Sequence, residues 1–207
     1  MRLAARALTI GVALSCAIGV GEPPARAQAQ PGVAILFREL QSDGSTDQAE
    51  DKLFNLAQAD PSARRYLALH LPVMIERGPK RFDPRHPNRE FPDPEWSNAV
   101  HLAAGLRIAE AAPALVKWIE VRTSPLTDSY IQGTLAYQPA GRALVQIGDP
   151  AVPTLQRTIV EGAREQRWEA MYALLLINSP KAKAVLQDYE ANGGDRELAP
   201  FIKRGLR

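Results

Sequence analysis

Cysteine is almost absent from this sequence, and patterns that form β-strands are scarce. Cys16 is the only cysteine among the 207 residues. A single cysteine cannot close an intramolecular disulfide. Alternating β-branched residues bounded by turn pairs, which hairpins require, do not occur. The sequence therefore excludes a disulfide scaffold and argues against a β-sheet fold.

The first 27 residues have the order of features that is typical of a secretory signal peptide. Arg2 and Arg6 precede an apolar stretch over 7–20, and Ala25-Arg26-Ala27 follows with small residues before the predicted cleavage site. A membrane-spanning helix, the first alternative, needs about 20 apolar residues, and glycines interrupt this stretch. We therefore expect a signal peptide at 1–27 and a mature chain that is periplasmic or secreted.

Cys16 raises a second alternative, a lipoprotein acylated at this cysteine. The preceding residues, Ala13-Leu14-Ser15, are a poor match to a lipobox. Cleavage after Ala27 removes Cys16 and leaves a mature chain with neither a thiol nucleophile nor a thiolate metal ligand.

Net charge also argues against one class of partner. The whole chain carries 25 basic and 23 acidic residues, and loss of 1–27 removes three arginines and one glutamate, so 22 of each remain. A nucleic-acid binder is expected to keep a basic excess. We expect no nucleic acid as a partner and no membrane span in the mature chain.

Apolar residues recur with helical spacing in the mature chain. Four sets fall at i, i+3, i+4 and i+7, which places each set on one face of a helix. The sets are Ala112, Leu115, Val116 and Ile119; Ala140, Ala143, Leu144 and Ile147; Trp168, Met171, Tyr172 and Leu175; and Ala182, Val185, Leu186 and Tyr189. Each predicted helix must cover its apolar face with a neighbour.

An aspartate or serine before a proline marks the start of several predicted helices. Asp60-Pro61, Asp93-Pro94, Asp149-Pro150 and Ser179-Pro180 each precede such a helix. The side-chain oxygen can accept from a free amide of the first turn, while proline in that turn loses no helical hydrogen bond. Gly148 is predicted to end the preceding helix.

The helical units repeat along the chain. "LRIAEAAPALVKWIE" (106–120) is a close relative of "LVQIGDPAVPTLQRTIVE" (144–161), with Pro113 matching Pro153 at an interval of 40 residues. "LLLINSPKAKAVLQDYE" (174–190) follows after about 30. Repeats at such intervals indicate a helical solenoid.

The repeated phrase Gly-Asp-Pro-Ala-Val-Pro-x-Leu at 148–155 resembles HEAT repeats, in particular the short form named after the phycobilisome lyases. The resemblance is good over 96–192 and weaker over 46–78, where Pro72 is expected to kink or end a helix. It implies an all-α, right-handed α-α superhelix of the HEAT/armadillo type with about four helix hairpins. Such repeats occur in scaffolds, adaptors and a few enzymes.

These patterns divide the chain into a signal peptide at 1–27, a linker at 28–45 and a HEAT-like domain at 46–207. A proline-rich excursion at 78–94 interrupts the domain, since its prolines forbid a helix. Its arginines and aromatic residues are of the kind that anchor interfaces. Candidate partner contacts are Arg81, Phe82, Arg85, His86, Arg89 and Phe91. The alternative is a strap that packs Phe82 and Phe91 on the helices.

No catalytic constellation is written in the sequence. Neither a Gly-x-Ser-x-Gly motif nor a histidine pair spaced i, i+4 occurs. The acidic residues near Glu165 and Glu169 are interpreted as a solvated helix face. We expect no metal, no cofactor and a non-enzymatic scaffold or adaptor that binds a partner protein. The alternative is an enzyme resembling the bilin lyases, which would require a tetrapyrrole.

Overall fold

The computed structural model describes residues 31–41, 46–79, 94–122, 135 and 138–207. These ranges contain ten α-helices and no strand, which confirms the predicted all-α class. The helices are α1 (Pro31–Leu40), α2 (Thr46–Ala59), α3 (Pro61–Arg77), α4 (Pro94–Gly105), α5 (Ala112–Lys117), α6 (Pro139–Ile147), α7 (Val152–Glu161), α8 (Arg164–Ile177), α9 (Pro180–Ala191) and α10 (Ala199–Gly205).

Two of the predicted helix starts are capped by the expected side chain. At α3 the amide of Ser62 donates to Oδ1 of Asp60 at 2.8 Å. At α9 the amide of Ala182 donates to Oγ of Ser179 at 3.1 Å. Each cap satisfies an amide that has no partner within its own helix.

The prediction that Asp149-Pro150 starts a helix with an aspartate cap is wrong. The pair forms a 3-10 turn, Asp149–Ala151, and α7 begins only at Val152. The amide of Ala151 donates to the carbonyl oxygen of Gly148 at 2.8 Å and closes this turn. Asp149 therefore lies too early to reach the first free amides of α7. Gly148 ends α6 as predicted, with a φ of 78° that favours glycine.

The same turn occurs forty residues earlier in the chain. The 3-10 turn Ala109–Ala111 leads into α5 as Asp149–Ala151 leads into α7. The φ and ψ angles are −57° and −42° at Ala112, and −55° and −42° at Val152. Pro113 and Pro153 each lie in the first turn of the following helix. The sequence repeat is thus also a repeat of the backbone conformation.

The helices pack in two rows. Helices α2, α4, α6 and α8 form the first row and α3, α5, α7 and α9 the second, with each helix contacting the next member of its own row. Contacts between the rows join α2 to α3, α3 to α4, α5 to α6, α7 to α8 and α8 to α9. The right-handed superhelix remains a prediction.

The core lies between the two rows. The predicted faces of α6 and α9 are buried there, apart from half-buried Tyr189, and so are Ala112, Leu115 and Ile119 around α5. In α8 the buried face is shifted from the prediction, since Ala170, Ala173 and Leu174 are buried and Trp168 is only half-buried. Helix α8 packs against α6, α7 and α9, so burial extends beyond one i, i+3, i+4 stripe.

Two segments differ from the sequence expectations. Helix α1 lies inside the range 28–45 that is expected to be a linker, and it packs on α2 through buried Val33, Phe37 and Leu40. Helix α1 has only 10 residues, so the sequence contains no long run of helically spaced apolar residues that would predict it. Pro72 neither ends nor interrupts α3, because Leu71 and Ile75 are buried on either side of it and packing holds the helix.

Two arginines contact the C-terminal ends of helices in the first row. The Arg64 guanidinium donates to the carbonyl oxygen of Leu106, just beyond α4. Nε of Arg107 donates to the carbonyl oxygen of Gln146, near the end of α6, at 2.9 Å. Carbonyls at a helix C-terminus lack partners within the helix and attract cations. In both contacts an arginine side chain therefore stabilises the C-terminal end of a helix, first α4 and then α6.

The C-terminal residues cover the end of the two rows. Leu198 and Ile202 are buried against α8 and α9, and the Phe201 ring meets Trp168 edge-on at 4.8 Å between centroids. Arg167 pairs with Asp195 at 3.1 Å. This segment is therefore amphipathic, with Leu198 and Ile202 buried and its charged side chains toward the surface. Among the described helices none has the length and apolar character needed to cross a membrane.

Candidate functional site

The six candidate contact residues at 81–91 lie outside the described residues, but the base of their segment is described. Gly78 ends α3 with a φ of 73°. A Cβ atom at this position would lie 2.1 Å from Cζ2 of Trp118. Only glycine combines this φ with such a close ring contact. The chain therefore leaves α3 along one fixed path over Trp118.

The far end of the segment is tied to the same place. The indole N–H of Trp96, in the first turn of α4, donates to the carbonyl oxygen of Ile75 in the last turn of α3 at 3.2 Å. The Gly78 amide donates to the same oxygen at 3.0 Å. The described residues on either side of 80–93 therefore meet at one base, formed by Ile75, Gly78, Trp96 and Trp118. Trp96 is buried in the core, and Trp118 and Trp168 pack against it.

A second base joins the ends of the insertion that follows α5. Glu169 on α8 accepts from the Arg122 guanidinium at 3.4 Å and from the side-chain amide of Gln138. Arg122 precedes the insertion and Gln138 follows it, directly before α6. We call Glu120, Arg122, Gln138 and Glu169 the Glu169 cluster. One carboxylate thus bridges both ends of the insertion.

The Glu169 cluster is partly withdrawn from water. The side chain of Glu169 is 12% exposed, and burial raises the pKa of its carboxyl against the opposing hydrogen bonds of Gln138 and Arg122. Burial also raises the pKa of Glu120, with smaller contributions from Glu165 and Glu169. Oε1 of Gln138 is buried and has no hydrogen-bond partner in the described ranges.

Sequence analysis missed the Glu169 cluster. It interpreted Glu169 as part of a solvated face, whereas only Glu165 is well exposed. The cluster joins Arg122 and Glu169, which are 47 positions apart, and the spacing of residues within one helix cannot predict such a contact. A charged residue beside the buried pair Ala170 and Met171 is the one signal that could have suggested it.

A small cleft lies between α4 and α6 of the first row. Val100, Ala104, Pro139 and Ala143 form its apolar part and His101, Arg142 and Gln146 its polar part. Its volume is about 140 Å³. Ligand pockets for drug-sized molecules span roughly 300–1,000 Å³. This α4–α6 cleft can therefore hold a few non-hydrogen atoms and not a tetrapyrrole.

His101 at the cleft is surrounded by charges of both signs. Its Nδ1 lies 4.0 Å from Oε1 of Glu50 on α2, and its side chain is 62% exposed. Partial burial lowers the pKa of His101, and the Arg142 guanidinium lowers it further. His101 is therefore mainly neutral at pH 7, where a neutral imidazole offers one donor and one acceptor.

The other described histidine has a structural contact. Nδ1 of His70 lies 2.8 Å from the Tyr66 carbonyl oxygen, and the two rings stack at 3.9 Å. Phe37 meets both rings edge-on. His70 is thus a hydrogen-bonded histidine that packs in an aromatic group. The described residues contain no group of three or more His, Cys, Asp or Glu that could hold a metal ion.

Known proteins add nothing to this geometry. The chain matches no family model, no curated protein and no solved structure.

A third candidate surface is an exposed face of α3, in the second row of helices. Leu69 and Val73 on α3 are 58% and 51% exposed, and Glu76 follows at the next position of the same face. Lys117 of α5 pairs with Glu76 across the row. This face carries apolar and charged side chains on neighbouring helices, a composition that suits contact with another protein.

Proposed function

We propose that the protein is an exported repeat protein of the HEAT type that binds a partner protein and has no catalytic activity. The observation that carries the proposal is the repeated turn at 109–112 and 149–152, with nearly equal backbone angles forty residues apart. Stacked copies of one unit form extended surfaces, which repeat proteins use for binding. The two rows of helices support the same interpretation.

The right-handed superhelix belongs to this proposal. Helices of each row contact the next member of that row, an order that suits a solenoid in which every unit covers its neighbour. The second row would then line the binding face, where Leu69 and Val73 are exposed.

The partner contact is proposed at 81–91, supplemented by the exposed face of α3. The six candidate side chains are Arg81, Phe82, Arg85, His86, Arg89 and Phe91. Gly78, Trp118, Trp96 and Ile75 form a fixed base for the segment that carries them. A rigid base lowers the entropy that binding must overcome.

The test compares three forms of the mature chain as immobilised baits in periplasmic and medium fractions of the native host. The first is the unchanged chain, and the second has all six candidate residues replaced by serine. The third carries Lys52→Ser and Asn55→Ser at exposed positions of α2, which belongs to the first row and not to the proposed binding face. We expect quantitative mass spectrometry to find a protein retained by the first and third forms and lost from the second.

Each other outcome contradicts a defined part of the proposal. A partner retained equally by all three baits would place the contact outside 81–91. No specific retention by any bait would overturn the binding function. Export is tested separately by the N-terminus of the mature chain, which we expect at Gln28 in the periplasm or medium. An intact Met1 in the cytoplasm would overturn export.

A further inference from the structure

We propose that the α4–α6 cleft binds a carboxylate group that carries a short aliphatic chain. This inference is independent of the proposed partner at 81–91, because the residues that line the cleft all belong to α4 and α6. Its lining combines the apolar side chains of Val100, Ala104 and Ala143 with the exposed polar side chains of His101, Arg142 and Gln146.

Arg142 supplies the charge for this ligand. Its side chain lines the cleft, and within the described ranges no carboxylate is paired with it. Arg122, Arg164 and Arg167, by contrast, each pair with a glutamate or aspartate. A guanidinium presents a planar fork of donors that matches a carboxylate. Arg142 is exposed at the edge of the cleft, so its guanidinium is accessible to a ligand.

His101 and Gln146 supply further donors without further charge. Burial and Arg142 lower the pKa of His101, so the ring donates as a neutral imidazole near pH 7. Glu50, 4.0 Å from the same ring, adds a negative charge near the cleft. One cation, two neutral donors and a nearby carboxylate suit a monoanion and oppose a phosphate dianion.

The dimensions of the cleft limit the rest of the ligand. A volume of about 140 Å³ corresponds to only a few water molecules at about 30 Å³ each. A carboxylate and a chain of a few carbons fill this space. Val100, Ala104 and Ala143 would contact the aliphatic part. Two sources carry this chemistry: a free short-chain acid, and a glutamate side chain of another protein.

Binding and the protonation of His101 are coupled through Arg142. The Arg142 charge lowers the pKa of His101 in the free cleft. A bound carboxylate neutralises this charge, so the pKa of His101 rises on binding. By linkage the same ligand binds more tightly as the pH falls through the histidine range.

The experiment is an NMR titration of the mature chain, followed at the imidazole Cε1–H signal of His101. Probes are valerate, inorganic phosphate, and N-acetylglutamate N-methylamide as a mimic of a protein side chain. We expect saturable shifts with valerate and a higher pKa of His101 at saturation, and little response to phosphate. Tighter binding of valerate would identify a free short-chain acid as the ligand. Tighter binding of the glutamate mimic would identify a glutamate side chain of another protein.

Three substitutions make the assignment specific. Arg142→Gln is expected to weaken valerate binding about tenfold, as loss of a charge-assisted contact implies. Arg157→Gln is the matched control. It removes an exposed arginine of α7, outside the cleft, and should leave binding unchanged. Glu50→Gln should tighten binding, a gain that misfolding cannot produce.

Several results would overturn the inference. Valerate shifts that do not saturate, or that Arg142→Gln and Arg157→Gln change equally, would show that the cleft has no carboxylate site. Phosphate binding at least as tight as valerate would show a general anion site instead. Weaker valerate binding in Glu50→Gln would contradict the charge argument, even if Arg142→Gln failed to fold.

Discussion

The indole N–H of Trp96 donates to the carbonyl oxygen of Ile75 at 3.2 Å and joins the first turn of α4 to the last turn of α3. This bond closes the base of the segment 80–93. The groups that form the base, including Gly78 and Trp118, all belong to the helical domain or to its immediate ends. The base can therefore persist when the segment itself is changed.

Shortening 80–93 to seven Gly and Ser residues should leave the domain folded. Halving the length of a flexible loop changes its closure free energy by only about 0.6 kcal/mol. We expect urea unfolding, followed by tryptophan fluorescence, to give a free energy of unfolding within about 1 kcal/mol of the unchanged chain. A loss of several kcal/mol would instead favour the alternative in which Phe82 and Phe91 pack as a strap.

Gly78→Ala should destabilise the protein by about 2–4 kcal/mol. About 1 kcal/mol arises from a φ of 73° at a residue with a Cβ, and the rest from displacement of Trp118. Gly193→Ala is the matched control, because its φ is 78° and its Cβ would meet no atom within 4 Å. Urea unfolding of both variants measures the difference.

A double-mutant cycle isolates the Trp118 contribution. Gly78→Ala should cost less when Trp118 is already alanine, since the ring that the new Cβ meets is gone. Equal costs in both backgrounds would show that the strain is confined to the backbone.

Glu169→Gln should change how stability depends on pH. Burial raises the pKa of Glu169 in the folded chain above the ordinary value of 4.5, so the folded state binds more protons in the range between the two values. The contribution of Glu169 is therefore fully present below pH 4.5 and is lost as pH rises through the folded pKa.

The measurement compares urea unfolding of the unchanged chain and Glu169→Gln from about pH 7 down to the ordinary glutamate value. The unchanged chain should gain stability relative to the variant as the pH falls. Glu110→Gln, which removes an exposed carboxylate, is the control and should show no such gain. A relative loss of stability on acidification would mean that pairing with Arg122 dominates over burial.

Local patterns in the sequence predicted the elements of this fold well. The Gly148 stop, the caps at Asp60 and Ser179 and the buried face of α6 each depend on residues within one or two turns. Their physical causes, φ preference, amide capping and helical periodicity, act over the same short range. The repeat of Pro113 at Pro153 likewise reports a repeated turn.

The candidate sites depend on contacts that no local pattern contains. Glu169 meets Arg122 across 47 residues, and Trp96 meets Ile75 across 21. Tertiary packing also carries α3 through Pro72 and holds the short helix α1 on α2. The α4–α6 cleft combines side chains of two helices whose separate faces give no sign of a ligand.

Ile202→Ala should destabilise the end of the two rows by about 2–4 kcal/mol. Ile202 is fully buried where α10 packs on α8 and α9, and removal of such a side chain costs both its burial and the cavity that it leaves. Lys203→Ala is the matched control. It removes an ion pair with Glu190 at 3.0 Å, in which the lysine is well exposed and the glutamate half-buried. Such a pair stabilises the fold by about 1 kcal/mol at most. Urea unfolding gives both values. Equal effects of the two substitutions would show that burial of Ile202 does not stabilise the end of the rows.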